Sequence, residues 1–279
     1  MTPAVLFSAD ASTIDEYKIC KEFFPTYHYR SEITNKLVIP RYSALPYYKE
    51  LETDLGNNGC QLINSYKQHK WVAKAEWIRL KELHNATFPT YTDENFYEAL
   101  EGEYIVKGKT NSRKLSWSTK MYAKSKREAL NIAGELMQDP LIAEQGVIYR
   151  QYIPLETWEI GINGLRFTNE WRFFFLGTEL IDFGYYWSLA EEETLKKSKS
   201  VKLEPLMTYA KKLARIVAEY CNFFVLDLAF TESGHIILVE INDGSMSGLS
   251  CIEPIPFYSQ LANSSRVFGQ KKGGILKPL

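Results

Sequence analysis

A chain of 279 residues, 45% of them hydrophobic and with a net charge of −1, is long enough for one large domain or two small ones and gives no electrostatic case for a nucleic-acid or acidic-membrane partner. The four cysteines (Cys20, Cys60, Cys221, Cys251) contain no CxxC pair and the four histidines (His28, His69, His84, His235) no ligand spacing, which argues against a zinc site or a disulfide framework. No run approaches the ~18 apolar residues of a membrane span, and MTPAVLFSADAS has too short an apolar run for a signal peptide, so the cytoplasm is the expected compartment.

In chain order, residues 4–7, AVLF, read as a buried strand. STIDEYKICKEF follows as a helix with Ser12 or Thr13 as N-cap. KLVIPRYSALPYYKELETDLGNNGCQLINS reads as strand, loop, helix, GNNG turn and short strand, an alternation that predicts a small α/β unit. The Trp-rich stretch KWVAKAEWIRLKEL between His69 and His84 reads as helical and stops before Pro89. YIVK is a strand, and GKTNSRKLSWS is a loop rich in hydroxyls and positive charge. SKREALNIAGELM is a helix with a Ser125/Glu128 capping box, closed by Asp139-Pro140. VIYRQYIPLE is a strand running into a proline, and EWRFFFLGTELIDFGYYW is a hairpin turning at Gly177. After the polar stretch AEEETLKKSKS, LMTYAKKLARIVAEYC puts apolar residues at 206, 210, 213, 214, 217 and 221, an amphipathic helix. Roughly the last 15 residues read as a loose terminal tail.

The most informative stretch is FVLDLAFTESGHIILVEINDGSMSGLS, residues 224–250. Ser233-Gly234 between two β-rich runs is a turn signal, and a turn centred there makes paired residue numbers sum to 467. Asp227 then faces Glu240 across the ladder. Alternation puts Asp227, Glu240 and Asn242 on one face with Val225, Ala229 and Leu238. The other face is Leu226, Leu228, Phe230, Ile237, Val239 and Ile241, wholly apolar. Like charges directly opposite are destabilising, so something must offset them. A hard cation such as Mg²⁺ suits carboxylate and amide oxygens and shares them with phosphates. The plainer readings are a Lys or Arg partner, or simple solvation.

Three further features stand upstream. Lys107 ends YIVK before the loop, where it can hold phosphates; taken alone, a surface lysine beside a turn is the better reading. RQYIPLE, residues 150–156, offers backbone to a flat base and Glu156 to a ribose; taken alone, a buried edge strand with a solvated Glu is the better reading. Arg172 is the one cation in EWRFFFLG, placed to neutralise Asp227 and Glu240 or to bind carboxylate or phosphate.

The order of these pieces (lysine strand, loop, strand ending in Glu, arginine hairpin, helix, Asp hairpin closing in Glu-x-Asn) resembles the ATP-grasp family over residues ~60 to 250. The resemblance implies an α+β fold in which two α+β lobes clasp ATP, preceded by a small α/β domain. The corresponding boundaries are 1–66, 67–150 for the small lobe and 151–279 for the large lobe. It also implies roles. Lys107 touches the phosphates, the loop after it covers them, and Gln151, Tyr152 and Ile153 hold adenine through backbone, with Glu156 on the ribose. Asp227, Glu240 and Asn242 bind Mg²⁺, with Mn²⁺ as the alternative ion. A second phosphate lysine in the family matches either Lys70 or Lys74. Where the family usually has an acid this chain has Gln151, whose amide still bonds an adenine amino group. Within the family the chain is most similar to small stand-alone ligases of bacteria and phages.

The implied activity is ATP-dependent joining of a carboxylate to an amine, on small-molecule, amino-acid or peptide substrates. The γ-phosphoryl group moves to the carboxylate, and the acyl phosphate is attacked by the amine, with the protein supplying position and charge. Arg172 steadies the acyl phosphate. Arg41, between VIP and YSALP, and Ser247, in GSMSG, are expected near substrate. No oligomeric state follows from the sequence. Two other readings stand beside this one. A small-molecule kinase would leave a phosphorylated product beside ADP. A nucleotide-binding module would show no turnover, but the intact Asp, Glu, Asn and Lys set argues against it. A hydrolase elbow is excluded because the centre of GSMSG is Met246.

Overall fold

The computed structural model describes residues 1–109 and 112–271. Thr110 and Asn111 of the expected phosphate loop, the side chains of Ser12, Thr13, Leu115 and Lys271, and the final eight residues lie outside the described set.

The first sheet is parallel, in the order β2-β1-β3-β4. Its strands are β1 (Thr2–Leu6), β2 (Thr26–Tyr27), β3 (Lys36–Pro40) and β4 (Gln61–Leu62). Two helices, α1 (Asp15–Cys20) and α2 (Tyr48–Asn57), connect them. The first helix starts later than expected: a 3₁₀ turn spans Ala9–Thr13 and Ile14 holds the N-cap position.

The stretch from His69 to His84 is not one helix. It divides into α3 (Tyr66–Ala73), a 3₁₀ turn at Glu76–Arg79 and α4 (Lys81–His84), with Ala75 at φ 52 between the first two. Trp71 and Trp77 explain the break. On a continuous helix they would point in different directions, yet both are buried in the same core.

The second sheet is antiparallel, in the order β5-β8-β6-β7. It comprises β5 (Thr90–Thr92), β6 (Tyr104–Gly108), β7 (Tyr122–Ala123) and β8 (Val147–Gln151). A short helix, α5 (Trp117–Lys120), follows the loop, and α6 (Lys126–Leu136) covers the sheet with Ala129, Ile132, Ala133 and Leu136. Ser125 accepts from the Glu128 amide as expected, but the Glu128 carboxylate turns to the Lys124 amide. Asp139-Pro140 opens a further helix, α7 (Pro140–Gln145), with the Asp139 side chain capping the Leu141 amide.

A small hairpin of β9 (Thr157–Ile160) and β10 (Arg166–Thr168), not expected from the sequence, leads to the last sheet. That sheet is antiparallel, in the order β12-β11-β13-β14: β11 (Glu170–Leu176), β12 (Glu179–Tyr185), β13 (Phe223–Phe230) and β14 (Ile236–Asp243). The polar stretch before α9 (Glu204–Val217) is itself helical, α8 (Glu192–Ser198). Where roughly the last 15 residues were expected to be a loose tail, α10 (Pro254–Lys271) covers those up to Lys271, and the remainder of that stretch lies outside the described residues. The last sheet is buried on both faces. Phe173, Phe175, Leu226 and Leu228 meet α9, whereas Phe174, Phe223 and Val225 meet α10 and the apolar residues of β1 and β3. Among the described residues no helix is long and apolar enough to cross a membrane.

The β13–β14 register is the expected one from Phe224↔Asp243 to Asp227↔Glu240. Beyond Asp227 a bulge shifts it by one, so Leu228 faces Leu238. The bulge overturns part of the expected face pattern. Leu238 joins the Leu226 and Leu228 core, while Ile237 and Val239 move to the Ala229 side with Phe88.

Candidate active site

Arg172, Asp227 and Glu240 stand in one row across three adjacent strands. Arg172 grips Asp227 bidentately, Nε to Oδ1 and Nη2 to Oδ2, both at 2.9 Å. Asp227 is 1% exposed. The Asn242 amide adds a longer contact to Asp227 Oδ2 at 3.4 Å. Glu240 takes a different cation: Lys107, reaching across from β6, donates to its Oε1. The two acids that face each other thus have separate partners, which removes the like-charge penalty.

Glu240 opens onto a cleft of about 790 Å³ between the second sheet and the β11–β14 sheet. Lys107, Lys114, Arg150 and Arg166 line it against two acids, Glu170 and Glu240. That excess of cations shows in the titration of the pair. Burial opposes the Glu240 charge, but Lys107, Arg150 and Lys114 outweigh it and hold the carboxyl at about 2. Burial, together with the neighbouring Arg150 and Lys114, lowers Lys107 despite its carboxylate partner. Glu170, on the same face of β11 as Arg172, is pushed up to about 7 by burial, only partly offset by Lys114.

Arg150 is the least satisfied of these groups. It is buried on β8, its guanidinium over the Phe88 ring at 5.1 Å. Nη1 donates to the Val239 carbonyl at 2.6 Å, but Nε and Nη2 have no partner among the described residues. A buried guanidinium with spare donors suits an anion with several oxygens. Lys114 enters the cleft from the loop, hydrogen-bonded to the Tyr186 hydroxyl and lying 4.9 Å from the Trp187 ring centre. The rest of the cleft is apolar, with Ile105, Met121, Ile153 and Leu165 forming a slot suited to a flat ring.

Of the residues expected from the sequence, Lys107, Tyr152, Ile153 and Glu240 line this cleft. Gln151 does not; its backbone N–H donates to the Pro89 carbonyl. Glu156 does not either, because Trp158 and Asn169 take its two carboxylate oxygens at 2.8 and 2.9 Å. Lys70 is exposed and Lys74 donates to the Glu144 carbonyl, so neither lines the cleft. Arg41 lies elsewhere: its side chain is 3% exposed, bound to Glu16 and to the Gly244 carbonyl at 2.7 Å. Ser247 donates to the Asp243 carbonyl and lines a second cavity that includes Asn242.

Lys114, Arg150 and Glu170 were not expected. Arg150 is a cation within a buried strand, the same signal that marks Arg172. Glu170 is two residues before Arg172 and so on its face. Among the described residues no three His, Cys, Asp or Glu side chains form a metal cage. The donor set for a divalent ion is two carboxylates and an amide, Asp227, Glu240 and Asn242. These are hard oxygens, and Asp227 Oδ1 retains a lone pair beside its Arg172 bond, which fits Mg²⁺ shared with phosphates.

A family model for an ATP-grasp domain, the third family of its clade, matches residues 96–261. No curated protein sequence matches the chain. Among solved structures, a RimK domain ATP-grasp protein from Sphaerobacter thermophilus superposes with a TM-score of 0.59 at 13% identity, covering 93% of this chain and 98% of that one. D-alanine–D-alanine ligase from Bacillus anthracis gives 0.59 at 12% identity, over 98% and 100%. The ATP-grasp ligase PsnB, complexed with minimal precursor, Mg and ADP, gives 0.53 at 10% identity, over 95% and 98%. At such identities the likeness speaks for the fold, which is the same α+β arrangement. With the family match spanning more than half of its length, the chain belongs to the ATP-grasp domain family.

Proposed function

We propose that this protein is an ATP- and Mg²⁺-dependent ligase that joins a carboxylate to an amine through an acyl phosphate. The observation that carries the reading is Arg150, a buried guanidinium with two unpartnered donors in a cleft where four cations face two acids. A triphosphate offsets such an excess, and the apolar slot beside it takes the base. Solved structures of the same fold include a D-alanine–D-alanine ligase and a peptide-precursor ligase with Mg and ADP, which supports the reaction class.

In this reading Lys107, Lys114 and Arg150 hold the phosphates. Tyr152 and Ile153 flank the base. Glu170, in place of Glu156, is the carboxylate the cleft offers to sugar hydroxyls. Glu240, Asn242 and Asp227 would hold Mg²⁺, which when bound offsets charge on the phosphate oxygens. Arg172 acts mainly by holding Asp227 and, through Nη1 at 2.9 Å, the Gly248 carbonyl. Arg41 fixes the other end of the same loop. Residues 1–66 form the preceding domain, with 67–150 and 151–279 as the two lobes. The chain contributes position and a preset field; the nucleotide supplies the phosphoryl group and the substrate carboxylate the nucleophile.

The test is thermal unfolding with Mg²⁺ and ATP, ADP or GTP, followed by assay of ADP and phosphate over a panel of carboxylates and amines. Ligand at 100 times its dissociation constant adds about 2.7 kcal/mol. A Mg²⁺-dependent shift with ATP, absent in Glu240→Gln, is expected. The absence of a shift with every nucleotide would sink the proposal, and a phosphorylated product without amide would turn it into a kinase.

A further inference from the structure

A second cavity, of about 590 Å³, lies beside the metal-type residue Asn242. Asn242 lines it, two residues along β14 from Glu240, which lines the first. Residues i and i+2 share a face of a strand, which sets the two linings next to each other along β14. Its other walls are Ser43 and Leu45 from the loop after β3, Val72 and Ala73 of α3, and Met246 and Ser247 of the glycine–serine loop. Among the described residues, no Lys or Arg lines it.

Among the described residues, His69 is the one imidazole in this wall. Its side chain is 4% exposed, and Tyr48 stacks on one ring face at 4.0 Å with 3° between the planes. Nδ1 lies 3.1 Å from Asp243 Oδ2. The other Asp243 oxygen accepts from the Asn64 side chain and from the Ser245 amide, both at 2.9 Å. This contact and the stacked Tyr48 ring fix the orientation of the imidazole, with Nδ1 on Asp243. Nε2 is left with no hydrogen-bond partner among the described residues. A base oriented by a carboxylate, with its free nitrogen at a cavity, is the arrangement that activates nucleophiles in many enzymes.

We propose that this cavity receives the acceptor amine, a primary amine with a small uncharged substituent, and that His69, held by Asp243, takes its proton. The inference rests on the ligase reading above. The amine arrives as an ammonium ion. One N–H proton passes to His69 Nε2 and leaves a lone pair on nitrogen. That pair forms the C–N bond to the acyl carbon while the C–O bond to phosphate breaks, its electrons leaving on the phosphate oxygen. The second nitrogen proton departs with the phosphate. The apolar side chains of Leu45, Val72, Ala73 and Met246 accommodate a small substituent, and a free carboxylate there would find no cation.

The experiment compares two nucleophiles in the presence of Mg²⁺, ATP and the twenty amino acids as carboxylates. Hydroxylamine is already neutral at pH 7 and traps an acyl phosphate as a hydroxamate without a base. Glycinamide and alaninamide, supplied as the amines, carry a small uncharged substituent and need deprotonation. His69→Gln is expected to keep hydroxamate formation close to wild type and to lose amide formation by about 100-fold. Ser43→Phe, at an exposed position on the cavity wall, is expected to lower amide formation while sparing the hydroxamate and the nucleotide-induced melting shift. If His69→Gln loses both products equally, or keeps both, His69 has no role toward the amine. If wild-type protein yields neither hydroxamate nor amide, the ligase reading itself falls, and this inference with it.

Discussion

Four cationic side chains line the cleft beside Glu240, and among the described residues none lines the cavity beside Asn242. The first is built to hold charge: its lysines and arginines outnumber its acids, and one arginine keeps two donors unused. The second is built around an imidazole, hydroxyls and small apolar groups. One strand serves both because Glu240 and Asn242 project from the same face on either side of a single pleat. The two side chains thus stand about 7 Å apart, two strand residues.

The largest expected effect is on the row that borders both cavities. Asp227→Asn strips Arg172 of its bidentate partner and leaves a buried guanidinium unpaired, so denaturant unfolding should show a loss of about 3–5 kcal/mol. A loss below about 1 kcal/mol would mean that the row is solvated and the two cavities are one. Glu170→Gln comes next. The folded protein holds the Glu170 proton up to about 7, whereas the unfolded chain releases it near its ordinary value of 4.5. Stability from this group is therefore full below 4.5 and falls as pH rises to 7, by roughly 3 kcal/mol. The Gln variant should match wild type at pH 4.5, exceed it at pH 8, and flatten the profile of melting temperature against pH.

Arg150→Met separates stability from binding. Replacing a half-satisfied buried cation with an apolar side chain of similar length should leave melting of the free protein unchanged or raised. The same variant should lose the ~2.7 kcal/mol of stabilisation by Mg²⁺ and ATP expected at saturating nucleotide. A retained nucleotide shift would remove Arg150 from the phosphate site. The smallest effect is expected in the neutral cavity. Ser247→Ala removes a hydroxyl bonded to the Asp243 carbonyl at 2.8 Å and should cost about 1 kcal/mol, with the nucleotide-induced shift intact. A changed shift would show that the cavities are energetically coupled.

Much of this was legible in the sequence, and the limits have physical causes. Counting from the Ser233-Gly234 turn pairs Asp227 with Glu240 correctly, because turn position and alternation fix register. The same count fails beyond Asp227, since a bulge is set by how Val239 and its neighbours pack and leaves no mark in composition. Arg172 stands out because its neighbours are all apolar. Arg150 is equally buried but sits between Tyr149 and Gln151, which blurs the contrast. The family resemblance implied Glu156 on the ribose, but the β9–β10 hairpin carries the chain on, and Glu170 lines the cleft beside Glu240 whereas Glu156 does not. Asn163-Gly164, at φ 54 and 76, was the turn signal for that hairpin. The last helix was invisible because SQLANSSRVFGQ is polar and poor in helix formers. Phe257, Tyr258 and Leu261 hold it against the sheet, so packing overrides propensity.

The loop at residues 244–248 has one more consequence. Arg41, from the first sheet's end, fastens the Gly244 carbonyl, and Arg172, from the last sheet, fastens the Gly248 carbonyl. Gly244 has no room for a side chain, since a Cβ there would stand 2.8 Å from the Phe223 ring. A surface loop rich in glycine and serine normally exchanges its amide hydrogens within a local fluctuation. This one is fastened to two sheets far apart in sequence, so its amides should exchange only when those sheets come apart, and it should belong to the slowest-opening unit of the protein.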